Sequence, residues 1–154
     1  DMGFTVKREY SHVDDAADVR VQEKDGREAG VSIRVRAGAR VKVTVTVQST
    51  RTRNHVAVVD WLPAGFEVIK DNEGSAHVGR GCWRGGYWCT WQHLNYRDER
   101  AEAFSTRLSP GVHSFIYQAR APSHGVFVAP PAKAEEMYSP ENFGRSQSEV
   151  VVVE

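Results

Sequence analysis

Apolar and polar residues alternate with period two along most of the chain. Val41, Val43, Val45 and Val47 alternate with Lys42, Thr44, Thr46 and Gln48, and Val31, Ile33 and Val35 with Ser32, Arg34 and Arg36. Near the start, Phe4, Val6 and Arg8 alternate with Thr5, Lys7 and Glu9. This is the pattern of strands with one face on a core and one in water, and the β-branched content agrees with it. Further strands are predicted over residues 19–22, 55–61, 66–69, 101–108, 112–121, 126–128 and 149–153. Turn signals separate them: Asp25-Gly26, Ala37-Gly38, Pro63 with Gly65, and Ser109-Pro110-Gly111. Helical periodicity is nearly absent. Short strands joined by tight turns predict an all-β, antiparallel two-sheet β-sandwich, with a closed barrel as the alternative.

Two long segments, residues 70–100 and 129–148, resist the strand pattern and are expected to be loops. The first holds three of the four tryptophans, and apolar residues in the second point to docking. At 154 residues the chain has the size of one domain, spanning 1–154. Its 20 basic and 20 acidic residues are interspersed and cancel, so there is no basic footprint for nucleic acid or an anionic membrane. The longest apolar run is residues 150–153, far short of a membrane span. The chain does not begin with Met and carries no signal peptide, so it is expected to be an excised domain or mature fragment. Cys82 and Cys89 lie close enough to form a small disulfide loop, which would imply an oxidising compartment. Closing that loop would contribute roughly 2.5 kcal/mol.

Candidate chemistry is sparse. His12, His55, His77, His93, His113 and His124 show no ligand spacing, and no second Cys-x-x-Cys half exists. A zinc site from Cys82, Cys89 and His93 is the one conceivable metal centre, and scattered structural histidines are the expectation. No Gly-x-Ser-x-Gly elbow is present. Adjacent carboxylates such as Glu135-Glu136 on a strand point to opposite faces and cannot act as a facing acid-base pair. Cys89 to Gln92 has the Cys-x-x-Gln interval of an internal thioester, but lacks the acidic neighbour and the helical setting. The cluster Trp83, Trp88 and Trp91 could stack on carbohydrate, or pack on the sandwich edge as part of a hairpin with Gly85-Gly86 at its tip. No catalytic residue, metal ligand or cofactor site is expected.

The stretch 127–146 is unusual for a loop. Pro130 and Pro131 stiffen its start, and Met137 and Tyr138 present two large side chains ahead of Pro140. A loop so pre-organised loses little entropy on docking. Its order of Pro130-Pro131-Ala132, Glu135-Glu136-Met137-Tyr138, Pro140-Glu141 and Gly144-Arg145 resembles the closing motif of bacterial-type alpha-2-macroglobulins. Upstream, Asp60-Trp61-Leu62-Pro63-Ala64-Gly65-Phe66-Glu67 and Arg97-Asp98-Glu99-Arg100 with Ala103-Phe104 resemble further family segments in the same order. So do residues 111–120 and Gly125-Val126-Phe127. The match runs over residues 56–145, whereas residues 1–50 agree only in being strands.

That resemblance implies a macroglobulin or fibronectin III-like sandwich with two long loops, forming the C-terminal domain of a larger protease-trapping chain. It implies a non-enzymatic role. The domain would dock on the thioester domain of the same polypeptide and shield it until a protease cuts the bait region. Met137 would be the lock and Tyr138 its neighbour, with Pro130, Pro131 and Pro140 setting the loop. The implied partners are the other domains of the polypeptide and the trapped proteases, without nucleic acid or membrane insertion. The implied location is periplasmic or extracellular. An adhesin-like or carbohydrate-binding sandwich using Trp83, Trp88 and Trp91 is the rival, and a metal-assisted hydrolase a distant third.

Overall fold

The structure, a computed structural model, describes residues 3–23, 31–69, 91 and 93–154. Among them the strands are β1 (Thr5–His12), β2 (Val19–Glu23), β3 (Val31–Val35), β4 (Arg40–Ser49), β5 (Arg53–Trp61) and β6 (Glu67–Val68). They continue with β7 (His93–Tyr96), β8 (Arg100–Leu108), β9 (Gly111–Arg120), β10 (Gly125–Ala129), β11 (Lys133–Glu136), β12 (Ser139–Arg145) and β13 (Glu149–Val153). A 3-10 turn, Ala16–Asp18, is capped by the Asp15 side chain.

The all-β sandwich expectation holds, and the described strands form no closed barrel. They make three hydrogen-bonded sheets, however, rather than two: β1-β4-β9-β6, β10-β13-β3-β2 and β12-β11-β5-β8-β7. One pairing departs from the antiparallel expectation, since β13 runs parallel to β3 in the register Val151↔Ile33. The expected long loop over 129–148 is also corrected, because it folds as the β11–β12 hairpin laid against β5. Its prolines hid this. Pro140 lies on the edge strand β12, where the pairing shifts between Glu135↔Phe143 and Glu136↔Ser139, and a proline is tolerated at such an irregularity.

The alternating positions do what the pattern predicted. Val41, Val43, Val45 and Val47 are wholly buried against Phe115, Tyr117 and Ala119 of the neighbouring strand and join one core with Val56, Val58, Val151 and Val153. Two glycines have specific causes. Gly65 (φ 83°) sits third in a turn closed by the Phe66 amide on the Pro63 carbonyl, the type II geometry that demands positive φ. Gly144 passes so close to β1 that a Cβ there would lie 2.3 Å from the Phe4 carbonyl oxygen.

All three sheets meet at one buried charge. Arg8, on β1, donates from Nη1 to Asp60 Oδ1 of β5 at 2.5 Å and to the Pro130 carbonyl at 2.7 Å, and from Nη2 to the Ala129 carbonyl at 3.4 Å. Glu149, at the head of β13, lies 3.8 Å from Arg8 Nε. The Tyr117 hydroxyl donates to the other oxygen of Asp60. Burial alone would lower the Arg8 pKa, but Asp60, Tyr10 and Glu149 together raise it, so the guanidinium stays charged. Burial raises the Asp60 carboxyl against the opposing pull of Arg8. Burial likewise pushes Glu149 up to about 7, again opposed by Arg8 and reinforced by the Asp60 charge.

Two measurements probe this construction. Gly144→Ala forces the β12 and β1 backbones apart and is expected to destabilise the domain by at least about 1–3 kcal/mol, read from the denaturant midpoint. For Glu149, a pKa of about 7 in the fold against 4.5 in its absence means that the fold binds the proton more tightly. Its contribution is complete below the lower value and is lost as pH rises through the upper one. Relative to wild type, Glu149→Gln is therefore expected to gain stability steadily between about pH 5 and pH 8. A midpoint difference that does not change with pH would contradict the shift.

Candidate functional site

The segment singled out by its sequence becomes a hairpin with an exposed tip. β11 takes its place in the sheet because it is paired on both sides: Ala134 stands opposite Val58 on one side and Gly144 on the other. Ala132 and Ala134 are wholly buried, and the small side chains let the hairpin lie close on the core. Its entry is pinned from below by Arg8 through the Ala129 and Pro130 carbonyls. Its exit is tied by Ser146, whose hydroxyl accepts from the Ala132 amide at 2.8 Å while its own amide donates to the Ala132 carbonyl at 2.9 Å.

At the far end, Met137 and Tyr138 are the two residues between the paired Glu136 and Ser139. Both project to solvent, Met137 at 44% exposure and Tyr138 at 79%. What holds them out is a braced base. Glu136 Oε1 accepts from Arg53 Nη1 at 3.0 Å and from Asn142 Nδ2 at 3.1 Å, and its Oε2 accepts from the Asn54 amide at 3.3 Å. Arg53 and Glu136 keep only 13% and 14% of their side-chain surface, so this pair is screened far less than a surface ion pair. Arg53 also lies over the Phe4 ring, 5.5 Å from its centroid.

His55 completes the site. Its φ of 51° puts a non-glycine residue in the left-handed region, a conformation that costs about 1–3 kcal/mol and persists where the surroundings enforce it. Here the enforcing contacts belong to the tip: the Met137 amide donates to the His55 carbonyl at 2.8 Å, and the Tyr138 ring meets the imidazole edge-on at 4.9 Å. Among the described residues no cluster of His, Cys, Asp or Glu could hold a metal ion. A thioether beside a phenol, both projecting to solvent from a braced base, suits a contact surface.

The structure brings Met137, Tyr138 and Pro140 together at the tip and places Pro130 and Pro131 at the entry, where the Pro130 carbonyl holds Arg8. Cys82, Cys89, Trp83 and Trp88 lie outside the described residues, and so do both ends of the thioester-like interval, Cys89 and Gln92. Trp91 is described, and it is core. It is 2% exposed, packs edge-on to Phe115 and donates its indole N–H to the Ser114 carbonyl at 3.1 Å. The rival aromatic platform thus loses one of its three rings. Sequence reasoning missed Arg53, His55, Glu136 and Asn142 as supports of the tip. Glu136 was visible as the residue between Glu135 and Met137, but nothing local in the sequence tied it to Arg53.

Comparison with known proteins agrees with the closing motif. The family model described as the bacterial alpha-2-macroglobulin MG10 domain matches residues 3–141, so the likeness extends into the first strands, which carried no resemblance by eye. An alpha-2-macroglobulin homolog of Yersinia pestis is 28% identical over 88% of this chain, and an alpha-2-macroglobulin of Rickettsia conorii is 30% identical over 69%. A Dictyostelium discoideum protein named circularly permutated Ras protein 2 is 30% identical over 98% of the chain. The chain spans only 4% to 7% of the length of these relatives. Among solved structures, Salmonella alpha-2-macroglobulin reacted with methylamine overlays with a TM-score of 0.70 at 23% identity, over 97% of this chain and 9% of that one. Native Escherichia coli alpha-2-macroglobulin, from domain MG7 to the C-terminus, overlays at 0.71 with 22% identity, covering 97% and 23% of the two chains. By fold, motif and family model alike, this chain belongs to the bacterial alpha-2-macroglobulin MG10 domain family.

Proposed function

We propose that this chain is a non-catalytic terminal domain of an alpha-2-macroglobulin-type protease inhibitor, and that it docks through its β11–β12 tip on the thioester domain of the same polypeptide. The observation that carries the proposal is the pairing of an exposed Met137 and Tyr138 with a rigid, ion-paired base. Large exposed side chains on a stiff support are what a docking contact uses, because little freedom is lost on binding. An unbranched, polarizable thioether fills an irregular gap and excludes water from it. A thioester needs such exclusion, since water hydrolyses it and amines open it. One solved relative is described as having reacted with methylamine, an amine of that kind. The trapped proteases are then partners of the whole polypeptide, the other domains are partners of this one, and the setting is periplasmic or extracellular.

The test uses a thioester-containing parent polypeptide. Met137→Ala is expected to speed spontaneous amine incorporation by about 5- to 30-fold, the population change that 1–2 kcal/mol of lost docking produces. Tyr138→Ala is expected to act in the same direction. Rates unchanged in both variants would remove the tip from the lock.

A further inference from the structure

The charge centre has one member whose bonding is unfinished. Asp60 receives the Arg8 guanidinium on one oxygen and the Tyr117 hydroxyl on the other. Glu149 receives neither. Its Oε1 stands 3.8 Å from Arg8 Nε, beyond hydrogen-bond reach. Its Oε2 is buried without a partner, as is Arg8 Nε. The groups that face Glu149 are Arg8 and Tyr10 from β1 and Asp60 from β5, with Tyr117 of β9 behind Asp60. Lys7, Glu9 and Arg145, all exposed, line a cavity with it, and its ladder neighbours Ala129 and Val31 carry no charge. One guanidinium thus answers two carboxyl groups, and Asp60 holds the better share of it. Glu149 is the member that keeps a proton.

The position of Glu149 decides what that proton controls. It opens β13 and stands opposite Ala129, the last residue of β10. The Ala129 and Pro130 carbonyls are the ones that Arg8 holds, and the chain passes from them into the β11–β12 hairpin. Once ionised, the carboxylate needs a donor, and either of two movements supplies one. Arg8 can shift by about 1 Å to bring Nε within reach, drawing its Nη atoms off both carbonyls. Alternatively, the head of β13 parts from Ala129 and admits water. Both slacken the same point.

We propose that Glu149 is a pH-sensitive latch on the root of the β11–β12 hairpin, closed while its carboxyl is protonated and released when the proton leaves. The closed root holds Ala129 and Pro130 on Arg8, and the released root exposes Glu149 to water. In the closed fold, burial pushes the Glu149 carboxyl up to about 7 against the pull of Arg8, and in an opened root it returns toward the ordinary 4.5. The closed state therefore binds the proton more tightly and is lost as pH rises through the upper value. Together the two values make opening about 10-fold more favourable at pH 8 than at pH 6. At its far end the hairpin keeps its own brace of Glu136, Arg53 and Asn142, so the root gives while the tip keeps its shape. Any effect on docking rests on the function proposed above, whereas the latch itself does not.

The test is native-state hydrogen exchange on this chain at about pH 6 and about pH 8, corrected for the intrinsic pH dependence of exchange. The reporters are the Ser146 amide, which donates to the Ala132 carbonyl, and the Ala132 amide, which donates to the Ser146 hydroxyl. Their protection is expected to fall by about 10-fold between the two pH values and to be insensitive to low urea, the mark of a local opening. Glu149→Gln, which has no carboxyl proton to lose, is expected to show the same protection at both. Three results would overturn the latch: no fall in wild type, the same fall in Glu149→Gln, or a fall with the urea dependence of the Val43 and Val45 amides in β4. The last would mean that the root opens only when the whole domain unfolds. A carbon-13 titration of the Glu149 carboxyl in wild type does not depend on the variant. A midpoint near 7 is expected, and one near 4.5 would sink the proposal. Neither measurement involves a thioester, so this proposal and the thioester shield stand or fall separately.

Discussion

Arg8 and Asp60 face one another with no solvent contact on either side chain. Taking two such charges out of water is expensive, and only close geometry and additional hydrogen bonds repay it. Here the additional bonds are what unify the fold. The guanidinium draws in two carbonyls from the end of β10, the carboxylate draws in Tyr117 from β9, and Glu149 brings the head of β13 alongside. A hydrophobic replacement could fill the space, but it could not dictate which carbonyl meets which strand. The pair therefore sets the relative placement of three sheets that share no ladder with one another.

The docking tip depends on that placement at one remove. Ala129 and Pro130 are held by Arg8, and β11 begins three residues after Pro130. From there the chain has no slack, because β11 is paired on both sides as far as Glu136. The Glu136 carboxylate then locks the last pair before the turn. Rigidity is handed along the strand to Met137 and Tyr138, and the unfavourable backbone of His55 is held in place by the contacts they make. The exposed end is thus the stiff end, the reverse of what is usual for a loop tip.

Much of this fold was visible in the sequence. Period-two alternation located β3 and β4 because their inward positions, such as Ile33 and Val35 or Val41 through Val47, are continuous valine and isoleucine runs with no competing pattern. It even placed Arg8 on the apolar side, with Phe4 and Val6, where a cation looked misplaced until its partners on β5 and β13 came into view. The hairpin escaped notice for a different reason. Three prolines and few β-branched residues lower the apparent strand preference of 130–145, and pairing on both sides of β11 overrides it. The parallel pair could not be seen at all, since alternation tells which face a residue takes and not which neighbour it meets. As for the site, Met137 and Tyr138 were identified by resemblance, whereas Arg53 and His55 act through contacts over 80 or more positions that no local pattern records.

The parallel union of β13 with β3 joins residues more than a hundred positions apart, such as Val151 and Ile33. Pairings of that span close late, because a long loop must be ordered before the first contact rewards it. During synthesis, β3 leaves the ribosome long before β13 exists, and its free edge would be an open template for another chain. The intervening strands can collapse, but Glu149 cannot reach Arg8 until β13 has been made. The domain is therefore finished by its last strand, and a chain shortened by those few residues would be left with an unsealed sheet and an incomplete charge centre, a substrate for chaperones and proteases more than a working module.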